Sequence, residues 1–194
     1  LEEGKIAAYR EESFPSFYVE QYKWFHYFRM CELLAKDACA LKPRGVGWSE
    51  LAVSMGLKVY TCKRKSKCIY AAQSESQLTP TLTKIWNGME FLNLCTGGGM
   101  KHLRSVVDQP MRKRASYRLR KEGTEVGFLS EIEGLIINNP RKMRGSRVER
   151  LFYEEFGSNT LGKQAWVQGE ALVTIGGRRI GVRVAWGTGG DTGP

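Results

Sequence analysis

The chain has 194 residues, 42% of them hydrophobic and 11% aromatic, and its 30 lysines and arginines outnumber 20 acids to give a formal charge of +10. That length supports one substantial core, and no apolar run approaches the roughly 18 residues of a bilayer span, which excludes a helical membrane protein. Five cysteines form no CxxC pair and, with only His26 and His102, no zinc set. Reduced thiols and a soluble, intracellular chain are therefore expected.

Taken in order, hydrophobic periodicity and breakers predict alternating helices and strands. An aromatic-rich helix over about Val19 to Lys36 leads into a short strand, Ala38 to Leu41, and then the glycine loop of LKPRGVGWSE, residues 41 to 50. A second helix begins at Ser49. Lys67 to Ala72 reads as the next strand and Ser76 to Leu94 as an amphipathic helix, which completes a parallel βαβ unit. Beyond Gly97 to Gly99 the pattern shortens to β-type runs at about Ser116 to Lys121, Glu125 to Ser130 and Gly134 to Ile137. Leu151 to Glu154 is a compact strand, Gly162 to Ile175 a helix and Ile180 to Trp186 a last strand. The expected architecture is α/β, with a mostly parallel sheet and an antiparallel insertion.

Three stretches carry chemistry. The pattern GxxxxGK(S/T) cradles phosphates with glycine amides, a lysine and a hydroxyl. Here Gly45, Gly47 and Ser49 supply the backbone and the hydroxyl, but Trp48 fills the lysine slot and Lys42 opens the loop. A nucleotide would need Lys42 to reach in from the start. In ERLFYEEFG, residues 149 to 157, an apolar strand ends in Glu154 and Glu155, at the sheet edge where open α/β folds bind ligands. The first acid would organise Mg²⁺ and the second would polarise the attacking water. The strand VRVAWGTGGD, residues 182 to 191, puts Thr188 between two glycines, beside a γ-phosphate or a water. Basic clusters at Lys63 to Lys67, Arg112 to Arg120 and Arg141 to Arg150 suit a polyanion held by its backbone.

The ordered set LKPRGVGWSE, AAQSESQL, IINNPRKMRGS, LFYEEFG and WGTGGD resembles the ATPase domain of the large terminase subunit, the DNA-packaging motor of tailed phages. The resemblance implies a three-layer P-loop NTPase fold of the RecA-like kind. It implies a Walker A loop of Lys42, Pro43, Arg44, Gly45, Val46, Gly47, Trp48 and Ser49, with Ser49 and Glu154 on Mg²⁺, Glu155 as the catalytic carboxylate that activates water and Thr188 as the coupling residue. Gln21 would contact the adenine of ATP, with Tyr22 or Phe25 stacking on the base. Arg144, or its neighbours Arg141 and Arg147, would order the site or act on a neighbouring subunit's nucleotide. Implied partners are double-stranded DNA, a ring of identical subunits that is pentameric during packaging, a portal protein and the small terminase subunit. The setting is the host cytoplasm, docked on the procapsid. Leu1 at the start and the glycine-rich end at Pro194 lead to the expectation of a fragment, one ATPase domain over residues 1–194 without its nuclease. Two alternatives stay open: another helicase-like nucleic-acid ATPase, and a basic nucleic-acid-binding module whose phosphate loop has degenerated.

Overall fold

Five apolar strands of four to six residues find each other across the whole length of the chain. The computed structural model describes residues 17–43, 45–103, 109–119, 123–139, 143 and 145–188. In chain order the first elements are α1 (Val19–Leu33), β1 (Ala38–Leu41), α2 (Trp48–Cys62), β2 (Lys67–Ala72) and α3 (Glu75–Cys95). Then come β3 (Arg112–Arg114), β4 (Tyr117–Arg118), β5 (Glu125–Val126), β6 (Glu131–Ile136) and β7 (Arg150–Tyr153). The last are α4 (Gly162–Gly169), β8 (Thr174–Ile175), β9 (Arg178–Arg179) and β10 (Val182–Gly187). The main sheet runs β1-β10-β7-β2-β6-β3, parallel throughout except for β3 on the edge.

Alternate side chains of a strand face opposite ways, and that alternation builds two cores. Cys68, Tyr70, Phe152, Val184 and Trp186 pack under α1, α2 and α3, while Ile69, Ala71, Leu151, Tyr153 and Ala185 pack under α4. The result is three layers. On each face a glycine lets a helix sit directly on a buried tyrosine. A Cβ at Gly56 would strike the Tyr70 hydroxyl, which donates to the Ala52 carbonyl at 2.7 Å, and one at Gly169 would strike the Tyr153 hydroxyl, which donates to Ala165 O at 3.0 Å. Cys68 lies wholly inside, where burial pushes its thiol up to about 12. All five cysteines are free. Among the described residues no helix is long and apolar enough to cross a membrane.

The predicted β1 and β2 match the observed strands at both ends, and the mostly parallel α/β sheet is present. Two expectations need correction. The run at Gly134 to Ile137 is the second half of β6, a parallel strand of the main sheet beside β2, and not part of an antiparallel insertion. The antiparallel part consists of β3 on β6 and a separate β4–β5 hairpin. The helix expected to reach Ile175 stops at Gly169; a 3-10 turn over Glu170–Leu172 follows, and Gly176 and Gly177 at φ 53° and 76° make the turn of the β8–β9 hairpin.

Candidate active site

Parallel strands gather their carboxyl ends on one edge, and here that edge collects the predicted chemistry. β1 pairs with β10 up to Leu41 and Gly187, and the Lys42 amide extends the ladder by donating to Gly187 O at 3.1 Å. Lys42 therefore leaves the sheet directly beside the end of β10. On the other side of β10, β7 ends at Tyr153 and delivers Glu154 and Glu155. The Lys42 ammonium lies 2.9 Å from Glu155 Oε1, and Glu155 Oε2 accepts from the Thr188 amide at 3.0 Å and its hydroxyl at 2.9 Å. Three residues from three strand ends thus meet at one carboxylate.

Glu155 adopts left-handed backbone, φ 43°, which costs a non-glycine residue about 1 kcal/mol or more. Its three bonds hold it there. Partial burial pushes its carboxyl upward, but the Lys42 and Thr188 bonds outweigh that and leave it below the usual glutamate range. Glu154 behaves oppositely. It is 6% exposed, and burial raises it above that range despite bonds from Trp186 Nε1 to Oε1 and from Thr81 Oγ1 to Oε2, both 3.0 Å.

The loop between β1 and α2 closes the site. Gly45 and Gly47 take left-handed backbone at φ 81° and 69°, and Gly47 leads into the first turn of α2, which carries Ser49. Pro43 and Gly45 are exposed, whereas Val46 packs against the core. Trp48, in the slot of the usual lysine, is buried edge-on against Trp24 at 4.7 Å between ring centres, so only its backbone faces the loop. Gln21 ties α1 to the same loop. Its Nε2 donates to Gly47 O at 3.2 Å and its Oε1 accepts from the Tyr18 amide at 3.0 Å. A Cβ at Gly47 would collide with that amide group. Tyr22 is exposed, while Phe25 is half-buried and stacks on Phe17 at 5.6 Å.

Arg44, Arg141, Arg144 and Gly189 lie outside the described residues. Arg147 is described, but it sits at the amino edge of the sheet, bonded to Ala171 O. The full length of β7, ~13 Å at about 3.3 Å per residue, separates it from Glu154. Thr81 and Trp186 escaped the sequence reading. The signal was present in Trp186, an aromatic directly before the GTG turn, but the bond that gives it meaning crosses 32 positions.

The donor set fits a magnesium nucleotide. A glycine loop before a helix N-terminus, together with a lysine, accommodates phosphates. Among the described residues no three His, Cys, Asp or Glu side chains are grouped to cage a metal. Mg²⁺ in nucleotide sites binds through one or two protein oxygens plus substrate phosphates. Each Glu154 oxygen keeps a second lone pair after its one hydrogen bond.

No protein-family model and no curated protein matches the chain. Solved structures do. The chain superposes on the large-terminase ATPase domain of Thermus phage P74-26 with a TM-score of 0.54 and 15% identity over 78% of this chain and 58% of that one. An arginine-to-alanine variant of that domain gives 0.57 and 14% over 81% and 61%. The large terminase of bacteriophage HK97 gives 0.56 and 10% over 89% of this chain and 33% of that one. The chain thus spans about three fifths of the Thermus phage domain and one third of the HK97 protein. At this identity the likeness is one of fold, and the resemblance drawn from the motifs holds at that level: the chain is built on the fold of phage large-terminase ATPase domains.

Proposed function

We propose that the chain is the ATPase motor domain of a viral large terminase, hydrolysing ATP with Mg²⁺ to drive double-stranded DNA into a procapsid. The observation that carries the reading is the meeting of Lys42, Glu155 and Thr188 beside the glycine loop, on a fold shared with terminase ATPase domains. A loop that had simply lost its lysine would leave no ammonium at this edge. Lys42 provides one, from the opposite end of the loop.

The chemistry follows from the contacts. Lys42 exchanges its Glu155 partner for phosphate oxygens of ATP and stabilises the charge that develops there. Glu155 Oε1, released by Lys42, accepts a hydrogen bond from the attacking water and aligns it with the γ-phosphorus. The water oxygen forms the new P–O bond, the β–γ bridge bond breaks, and the proton passes to Glu155 or to solvent. Thr188 keeps its hold on Oε2 throughout, so β10 feels the change at Oε1. Ser49 and Glu154 would hold Mg²⁺, which supplies neutralisation of the phosphate charge. The Gln21 side chain, already fastened to Gly47, would report adenine to the loop. Around the motor we place a ring of identical subunits, pentameric during packaging, with portal and small subunit, and Arg144 acting on a neighbour's nucleotide.

Steady-state hydrolysis with Mg²⁺ and duplex DNA tests the assignment. Glu155→Gln is expected to lose about 100-fold or more in turnover while still binding ATP. Turnover within a few-fold of wild type would remove Glu155 from the mechanism.

A further inference from the structure

The edge of the sheet opposite the candidate site has a charge pattern that hydrolysis does not use. The amino ends of the parallel strands gather there, and a chain of contacts joins the segments that precede them. Arg64 donates to Gly127 O at 3.1 Å, Lys67 reaches Ser146 Oγ at 3.2 Å, and Arg147 bonds Ala171 O next to the β8–β9 hairpin. The acids of this edge are already occupied. Glu131 and Glu133 pair with Lys67, Glu149 with Lys63, Glu125 with Arg114, and Asp37 and Glu170 with Arg179 and Arg183.

Exposed cations are left over, among them Lys36 ahead of β1 and a group of four ahead of β2, β7 and β10. Arg64, Lys65, Arg147 and Arg178 have no carboxylate partner among the described residues. Two of these side chains, and the backbone of a third, are held in place. Lys65 is in left-handed backbone, φ 57°, with its amide bonded to Phe128 O at 3.0 Å, and the carbonyls already named fix Arg64 and Arg147. They lie below β2, β7 and β10, with the Phe128 turn leading into β6. The two inter-strand steps from β2 to β10 span ~10 Å at about 4.8 Å each, the length of roughly three nucleotides along a duplex at ~3.4 Å per step.

The geometry points to this amino edge as the surface that grips the phosphate backbone of double-stranded DNA, with Arg64, Lys65, Arg147 and Arg178 as its contacts. The assignment deepens, and rests on, the reading of the chain as a DNA motor. A row of exposed cations without carboxylate partners predicts strong salt dependence without sequence preference. β10 runs from this edge to Thr188, ~20 Å over six residues. That exceeds the ~8 Å screening length at physiological salt, so edge charges leave nucleotide affinity alone. β7 and β10 also join the two edges rigidly, and a shift at Glu155 has a direct route to the DNA.

The test is duplex binding by fluorescence anisotropy across a salt series, using a short duplex of arbitrary sequence. The variant Arg64→Gln with Arg147→Gln is compared with Lys23→Gln and Lys163→Gln, which removes two exposed charges from α1 and α4. Lys65→Gln with Arg178→Gln serves as a second edge pair should the first fail to fold. Either edge pair is expected to lower the slope of log affinity against log salt by about 2, at ~0.9 per phosphate contact, with the control pair unchanged. Equal slopes for edge and control pairs overturn the surface, and so does tighter binding of single-stranded DNA. ATP binding is followed on the same preparations. Absence of ATP binding with an edge-dependent slope sinks the motor reading and leaves the surface, whereas ATP binding with an edge-independent slope sinks the surface alone.

Discussion

Glu154 is a carboxylate kept where charge is unwelcome. Burial raises its folded pKa above that of the unfolded chain, so it favours folding at acid pH, where it is protonated, and that contribution is lost as pH rises through the folded value. Glu154→Gln keeps the shape and a partner for both Trp186 and Thr81. It is expected to unfold at higher denaturant concentration than wild type at neutral pH without divalent cation, with the gap closing in acid. A lower midpoint at neutral pH would show that the charge is better accommodated than its burial implies. Glu155 has the opposite sign. Its lowered pKa contributes stability that is complete above the ordinary value of 4.5 and is lost as pH falls through the folded value. Thr81 acts one step removed, by fixing one Glu154 oxygen. Thr81→Val is expected to lower turnover about tenfold and to raise the Mg²⁺ concentration needed for half-maximal rate, with Thr81→Ser restoring both. An unchanged Mg²⁺ dependence would reduce Thr81 to packing.

Among elements, β7 is anchored through one arginine. Arg150 donates to Glu32 Oε1 from Nε at 3.1 Å and from Nη2 at 2.5 Å and to Met55 O at 2.5 Å, and it covers the Phe28 ring at 5.0 Å. It thereby fastens the strand that carries both site acids to α1 and α2. Removing it leaves Glu32 half-buried without its main partner. Arg150→Ala is expected to cost about 3 kcal/mol in urea denaturation, whereas Arg29→Ala, at the exposed 3.2 Å pair with the same Glu32, costs at most ~0.5 kcal/mol. Comparable losses would place the anchor elsewhere. The sequence makes β1 and β2 legible because each is a short apolar run between breakers. β6 hides itself with Glu131 and Glu133, which look solvent-facing until Lys67, Arg112 and the pairing with β2 claim them. The end of α4 is hidden too, since Leu172, Val173 and Ile175 continue an apolar pattern that the Gly176–Gly177 turn then breaks. Lys42 was readable as displaced. Its destination, a carboxylate 113 positions away, came only with the strand order.

At the scale of the molecule, the sheet separates two tasks. Its carboxyl edge holds the loop, Lys42, the two acids and Thr188, and its amino edge holds the exposed cations proposed to grip DNA. Everything proposed for the carboxyl edge depends on Lys42 doing, from the start of the loop, what a lysine at Trp48 would ordinarily do. Calorimetric titration of ATP with Mg²⁺ into wild type and Lys42→Ala is the most direct test. Wild type is expected to bind, and loss of the ammonium from the phosphates is expected to weaken binding at least tenfold, about 1.4 kcal/mol. Equal affinity in the two proteins would contradict the account.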